Sequence, residues 1–573
     1  MPIRILPEEV ASAIAAGEVI ERPASVVKEL VENALDAGAK RILIRVQGGG
    51  QEMVEVADDG CGIPAEEVPL AFARYATSKL QTADDLQAIS TLGFRGEALA
   101  SISAVSRMEI ITRAKGEASG TRLVVEGGKI DHPTAHGTAE GTTVRVRDLF
   151  YNVPARKEFL KSAATERRWI SRLVTRYALA YPSVAFHLEM EGRPAFRSSG
   201  KGDRREVLME VFGLEVGKAM LALPAAPAGR VGVEGFISPP SVHRGNRREI
   251  TLFVNGRWVQ DASLSAAVLQ AYHTLLMVGR YPIVVLFIQV EPSAVDVNIH
   301  PTKAEVRFRE PQAIFAVLQR AVRATLVGQS PAPALDIGAR WQSLEPTLAS
   351  RELWRGSAWE AASDEPGVLT DLQRQPALPG GSIPLLRAVG QVGAAYLVAE
   401  GPDGLYLVDQ HAAHERVLFE RMMAQERERG LESQALLQPE TLELPPHQAP
   451  VLVESLQALR KLGFDIEPFG ERAFIIRAIP AMLGKLPPRE LVQAVVEEVE
   501  EDETPLAGEA ESRLAARVCK RAAIKSGQVL SLAEQEALLR DLESCLSPRT
   551  CPHGRPTMIH LSVETLERQF RRR

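Results

Sequence analysis

Residues Pro23 to Ile63 read PASVVKELVENALDAGAKRILIRVQGGGQEMVEVADDGCGI, and their periodicity decides the fold class. Val26, Val27, Leu30, Val31, Ala34 and Leu35 recur at helical spacing, so a helix is predicted from Ala24 to Ala37. Pro23 suits its first turn and Gly38 its stop. Two strand-like runs follow, Arg41 to Val46 and Met53 to Ala57, joined by the Gly48-Gly49-Gly50 turn. Helix and strand periods alternate from here to about Gly328, the mark of an α/β protein. Opposite the apolar stripe, Glu29, Glu32, Asn33 and Asp36 share one polar helix face. A carboxylate beside an amide there suits Glu32 to polarise a water and Asn33 to offer its carbonyl oxygen to Mg²⁺. A solvated outer face is the bland alternative.

No G-x-x-x-x-G-K-[ST] occurs, so the common phosphate cradle is missing. Asp58-Asp59-Gly60-Cys61-Gly62-Ile63 stands at a strand end, where glycines admit a flat base and Asp58 can accept from an exocyclic amine. A plain Asp-Gly turn reads as well from these six residues alone. GFRGEAL (Gly93 to Leu99) places Gly93 and Gly96 before a helix expected near Glu97, where backbone N–H groups can meet a polyphosphate. Thr77, Ser78 and Lys79 add hydroxyls and an ammonium; Gly141-Thr142-Thr143-Val144 and the later Lys303 complete the set.

The 573 residues allow three to five structural units, with 45% hydrophobic and 24% charged residues ordinary for a folded protein. A net charge of −6 leaves nucleic-acid binding to local patches. Such patches are Arg167, Arg168, Arg172 and Arg176, then His243 to Arg248 and Arg257. The apolar run Ile283 to Ile288 is far too short to span a bilayer, and the start lacks a signal-peptide core, so a cytoplasmic protein without a membrane partner is expected. The apolar period fails from about Gln329 to Pro384, which reads as a flexible linker holding Trp341, Trp354 and Trp359. Strands at Leu386 to Ala399 and Leu405 to Val408 open a further region, with a helix at Arg421 to Leu431 and an acidic run, Glu497 to Glu503, read as a solvated end or loop.

That region carries a second constellation. In DQHAAHERVLFE (Asp409 to Glu420), His411 and Glu415 stand four apart on a helix with Asp409 at its mouth. Cys551-Pro552-His553 offers sulfur and imidazole two residues apart, and Cys519 lies in VCKRAAIK. Helix capping and core packing are the plainer roles. Cys and His favour Zn²⁺ and carboxylates favour Mn²⁺ or Mg²⁺, so a mixed site is expected. The H-x-x-H-E order at His411 to Glu415 fits no zinc-peptidase motif.

VVKELVENALDAGA, DDGCGI, ATSK, GFRGEAL and GTTV, in this order, resemble the MutL family of DNA mismatch repair proteins. DLFYNVPARKEFL (Asp148 to Leu160) and FVNGRWV (Phe253 to Val259) narrow the likeness within the wider ATPase superfamily of gyrase-type topoisomerases, histidine kinases and a heat-shock chaperone. It runs almost continuously to Arg309 and resumes in blocks from Gly390. The resemblance implies a multidomain α/β (α+β) chain: a GHKL-type ATPase sandwich (1–215), an α/β transducer-type domain (216–328), a linker (329–384) and an α+β C-terminal dimerisation and endonuclease domain (385–573). It implies ATP and Mg²⁺ as ligands, with Glu32 as general base, Asn33 on Mg²⁺, Asp58, Gly62 and Thr143 around adenine, Thr77, Lys79, Gly93 and Gly96 around the phosphates, and Lys303 on the γ-phosphate.

The resemblance further implies a metal-dependent nicking endonuclease at Asp409, His411, Glu415, Cys519, Cys551 and His553, holding Zn²⁺ or Mn²⁺. Gln434-Ala435-Leu436-Leu437-Gln438-Pro439 resembles the motif by which nuclease-type relatives bind the sliding clamp, with Gln434, Leu437 and Pro439 as its contacts. Duplex DNA, a MutS-type mismatch sensor and a second copy of the chain are the other partners implied, with Arg257 on DNA and the protein at the nucleoid when acting. A non-nucleolytic matchmaker that recruits a separate nuclease is the rival; a topoisomerase subunit finds no supporting tyrosine module.

Overall fold

The computed structural model describes residues 20–79, 91–93, 96–224, 231–273, 275–276, 280–296, 306–329, 383–429, 431–484, 487–501, 510–524 and 528–570. Lys303, residues 330–382 of the expected linker with its tryptophans and the Arg571-Arg572-Arg573 end lie outside the described residues.

The first helix spans Pro23–Asp36, entered from an extended Arg22 and ended before Gly38. It buries Val26, Val27, Leu30, Val31 and Ala34 against the sheet, so Leu30→Ala would cost about 2–5 kcal/mol. Among the described residues that sheet has nine strands. Its main path runs Lys129–Ile130, Gly120–Glu126, Arg107–Arg113, Gly141–Arg147, Met53–Asp58, Arg41–Gln47, Ala185–Met190 and Arg193–Arg197, with Thr134–His136 beside Gly120–Glu126. Arg41–Gln47 pairs antiparallel with Met53–Asp58 and parallel with Ala185–Met190, so the sheet is mixed. The antiparallel register ends at Ile42↔Asp58 and Asp58↔Thr142, which sets the Asp58 carboxylate at the sheet's rim.

A second sheet follows the order Leu221–Leu223, Val231–Ile237, Val284–Val290, Ile250–Val254, Arg257–Val259. The apolar run from Ile283 finds its explanation here. Ile283, Val285 and Phe287 join the core of the first domain, while Val284, Leu286, Ile288 and Val290 face helices Ala262–Ala271 and Pro311–Gln329. A strand covered on both faces has no polar alternation to show. The expected boundary at 215 falls inside the helix Leu214–Ala219, which ends two residues before the second sheet begins.

The C-terminal region holds two sheets. Arg387–Val392, Tyr396–Gly401, Gly404–Asp409 and Met558–Ser562 form one; Ser433–Glu443, Ala473–Pro480 and Asp465–Pro468 form the other. The helix Gln410–Arg429 bridges the two cores, through Val417 on one side and Met422 on the other. Three expectations are corrected here. The strand expected from Leu386 to Ala399 is a hairpin, turned at Gly393 and Ala394, both at positive φ. The helix expected from Arg421 begins at Gln410. The acidic run is not wholly solvated, because Glu497 and Glu500 are buried against the N-terminal domains. No helix among the described residues is long and apolar enough to cross a membrane.

Candidate functional site

Between the first helix and the strand end at Asp58 lies a cleft of about 2620 Å³. Its wall includes Glu29, Asn33, Asp36, Asp58, Gly62 and Thr77, followed by Lys79, Gly93 and Gly96, so most of the expected nucleotide residues converge. Gly62 has φ +69, and a Cβ there would come within 2.1 Å of the Arg113 carbonyl oxygen; at Gly96, φ +62, it would meet the Ala76 carbonyl at 2.4 Å. Both loops therefore need glycine to keep their backbone open to the cleft. Asp58 Oδ1 accepts from the Gly60 N–H at 2.9 Å, while burial raises its carboxyl pKa to about 6.

The polar helix face already accommodates a cation. The Lys79 ammonium stands 3.0 Å from Asn33 Oδ1 and 2.5 Å from Asp36 Oδ2. An amide oxygen and a carboxylate that converge on one positive charge fit Mg²⁺ as well. Asp36 also accepts from the Leu92 and Gly93 N–H groups, both at 2.9 Å, which ties the glycine loop to the helix.

Three expected residues stand elsewhere. Glu32 is turned away from the cleft: it is buried, accepts from the Tyr177 hydroxyl at 2.7 Å and pairs with Lys28 at 3.5 Å. It faces a small pocket shared with Tyr177, Arg176, Arg257 and Trp258. Of the two helix glutamates, Glu29 is the one on the cleft wall, which Glu67 and Glu97 also line. Thr143 likewise yields to Thr142 and Val144, since alternate strand residues face opposite sides. The Thr142 hydroxyl lies 3.0 Å from that of Thr112, which accepts from Ile63 N–H at 2.9 Å. Arg257 is buried rather than displayed, and its guanidinium donates to the Thr91 carbonyl beside the glycine loop.

In the C-terminal region Glu415, Cys551 and His553 come together, with one ligand atom from each within 4.8 Å of the others. His553 Nδ1 touches Glu415 Oε1, yet among the described residues that buried oxygen has no hydrogen bond of acceptable geometry. A buried carboxylate oxygen, a buried thiol and an imidazole left in this relation suit Zn²⁺ or a like cation. Cys519 is buried in the adjoining core, its thiol pKa pushed up by burial and then by the Glu415 charge; it is near the cluster but not within it. Asp409 and His411 also stand outside it. Asp409 Oδ1 caps the helix by accepting from His411 and Ala412 N–H at 2.9 and 3.0 Å. His411 Nδ1 donates to the Ile524 carbonyl at 2.9 Å, the orientation in which Nε2 becomes the ligand atom. His414 accepts from Ile524 N–H, and burial lowers its pKa to about 4.

Three family models match the chain: a histidine kinase-, DNA gyrase B- and HSP90-like ATPase over residues 20–135, the C-terminal domain of DNA mismatch repair proteins over 208–327, and the MutL C-terminal dimerisation domain over 389–530. The DNA mismatch repair protein MutL of Symbiobacterium thermophilum is 42% identical over 634 residues, covering 100% of both chains. The chain belongs to the MutL family of DNA mismatch repair proteins. The MutL of Desulforudis audaxviator is also 42% identical, across 100% of this chain and 99% of its own. An Aquifex aeolicus MutL ATPase domain complexed with ADP is 30% identical, with a TM-score of 0.37 over 48% of this chain and 94% of that one.

Two surfaces of the MutL-type C-terminal domain complete the picture. Gln434–Pro439 lies on an edge strand whose register slips between Ala435 and Glu440, so residues 436–439 bulge outward opposite Arg477. Leu437 is fully exposed there, and Gln434 and Pro439 are exposed. On the four-stranded sheet, Val398, Leu407 and Ile559 align across three neighbouring strands. Ile559 is 51% exposed and Tyr396, on the same sheet, 51%.

Proposed function

We propose that this MutL-family protein is an ATP-regulated, metal-dependent endonuclease that nicks duplex DNA during mismatch repair. The observation that carries the nuclease is the meeting of Glu415 with Cys551 and His553 from the far end of the domain, with a buried carboxylate oxygen short of a hydrogen bond. The rival matchmaker reading would leave that cluster without chemistry.

In the ATPase half, Asp58 accepts from the adenine amine while the backbone at Gly62 lies against the base. Lys79 and the N–H groups around Gly93 and Gly96 meet the phosphates. Lys303 is expected at the γ-phosphate. Glu29, rather than Glu32, orients the attacking water and takes its proton, because of the two helix glutamates it is the one that lines the cleft, beside Asn33. Asn33 would hold Mg²⁺, which would supply neutralisation of charge on the phosphates.

In the nuclease half, Glu415, Cys551 and His553 hold the ion, and His411 and Asp409 stand beside them at the helix mouth as the residues that meet substrate or a second ion. A Zn²⁺ or Mn²⁺ ion bound there would supply an activated water and neutralise the scissile phosphate. Cys519 supports the site from the core. The aligned apolar sheet face supports a homodimer, the bulged Gln434–Pro439 segment a sliding-clamp contact, and the family a MutS-type sensor as upstream partner. Metal analysis of the full chain tests the reading: Cys551→Ser should lower bound zinc and leave ATP hydrolysis unchanged. Equal metal content in parent and variant would favour the matchmaker.

A further inference from the structure

A second cleft, of about 1660 Å³, opens where the Ala163–Ala180 helix meets the second sheet. Arg168, Arg172 and Arg176 line it from that helix; Arg247 and Arg248 face them. Spacing of four residues places the three helical arginines in a row, about 6 Å of rise apart. A row suits a linear polyanion better than a single phosphate. Two carboxylates stand on the wall among the described residues. Asp261 is engaged as a helix cap, accepting from Leu264 N–H at 2.8 Å. Glu500 comes from the C-terminal domain.

Glu500 lies in the last turn of the helix Pro488–Glu501 and is buried. Its carboxylate pairs with the Arg172 guanidinium and accepts from Gln448 Nε2 at 3.1 Å, while its carbonyl oxygen accepts from Arg248 Nη1 at 2.8 Å. Nearby, Glu454 pairs with Arg167 at 3.0 Å, and Glu497 accepts from Gly245 N–H at 2.9 Å. Glu249, buried and paired with His447 at 3.3 Å, adds a further negative charge that acts on Arg172 and Arg176. The buried Arg172 Nε has no hydrogen-bond partner among the described residues. Burial and the neighbouring Arg172 hold the Arg176 pKa down to about 9, and burial likewise lowers that of Arg168, against which Glu500 and Glu454 act.

We propose that the C-terminal domain masks this arginine cleft, with Glu500 and Glu454 competing for the guanidinium groups that otherwise receive the phosphate backbone of duplex DNA. The inference rests on the DNA-binding reading and adds its regulation: the two lobes must part before the cleft can take DNA. Displacing two carboxylates exchanges intramolecular ion pairs for phosphate contacts, so occupancy by DNA and closure of the lobes exclude each other.

The test is fluorescence anisotropy of a labelled duplex with the full chain, comparing the parent with Glu454→Gln/Glu500→Gln. The double variant should bind about tenfold tighter at low salt. The slope of log affinity against log salt should steepen, because in the parent salt also weakens the ion pairs that compete with DNA and in the variant it does not. Unchanged affinity and slope overturn the mask. Adding Arg168→Ala and Arg172→Ala to that variant should abolish the gain. If those arginines prove immaterial to DNA affinity, the placement of DNA in this cleft fails; if they matter but the glutamates do not, only the mask fails. Should the double variant melt early, Glu454→Gln alone decides. This rim residue is 46% exposed in its side chain, and its neutralisation should tighten DNA about twofold, no change being the contrary result.

Discussion

Glu29 and Glu32 lie three residues apart on one helix, and their exchange for Ala should have opposite consequences. Glu29 is on the cleft wall and its carboxylate bonds Lys28 at 3.2 Å, so its removal leaves the core untouched. Loss of a general base lowers turnover by about 10² to 10⁴, equivalent to roughly 3–5 kcal/mol of barrier at 1.36 kcal/mol per decade. Nucleotide affinity and melting temperature should hardly move. Glu32→Ala strands the buried Tyr177 hydroxyl, which donates to Glu32 at 2.7 Å and whose pKa is raised by burial and then by that carboxylate. An unsatisfied buried donor costs about 1–3 kcal/mol, and a domain of this size loses roughly 2–4 °C of Tm per kcal/mol. Steady-state ATP hydrolysis at saturating nucleotide, read beside a thermal melt, separates the two. Full turnover in Glu29→Ala, with turnover lost and Tm unchanged in Glu32→Ala, would refute the reasoning.

Asp58→Asn should weaken ATP binding at pH 7.5 while raising the thermal stability of the nucleotide-free protein. Burial lifts the Asp58 pKa from 3.8 to about 6, so its contribution to stability is complete below pH 3.8 and lost as pH rises through 6; the Tm gain of the variant should vanish near pH 4, and a constant gain across that range would contradict the assignment. Ile559→Glu puts a charge on the aligned apolar sheet face and should convert a dimer to monomers in analytical ultracentrifugation; an unshifted sedimentation profile places the interface elsewhere. Gln434→Ala/Leu437→Ala should abolish binding to immobilised sliding clamp without lowering ATP turnover, since Leu437 is fully exposed and supports no core; undiminished clamp binding would make the bulge an ordinary loop.

Much of the first domain was legible because its signals are local. The Val26-to-Leu35 stripe, the glycine turn and the alternating strands each follow from near neighbours, and the helix and strands lie within a residue or so of expectation. The choice between Glu29 and Glu32 was not local. Both occupy the polar face, and what separates them is Tyr177, carried in by a helix far along the chain. Thr142 and Thr143 differ only in which side of a strand each faces, and that depends on the pairing Asp58↔Thr142. Arg257 read as a basic surface residue, yet strand pairing buries it. Glu497 and Glu500 sit in a run that reads as solvated; their burial depends on partners distant in sequence, Gly245 and Arg172 of the N-terminal half and Arg521 and Gln448 of their own domain.

At the other end of the chain, the motif residues divide by geometry rather than by spacing. Glu415, Cys551 and His553 cluster, Asp409 caps a helix, and Cys519 packs in the core. The central claim is that this cluster cuts DNA. Its most direct measurement is nicking of closed-circular duplex DNA in Mn²⁺ by Glu415→Gln beside the parent, with ATP turnover recorded on the same preparations. The parent should convert supercoiled to open-circular DNA, and the variant should lose that activity while hydrolysing ATP normally. Equal nicking by the two proteins would contradict the account.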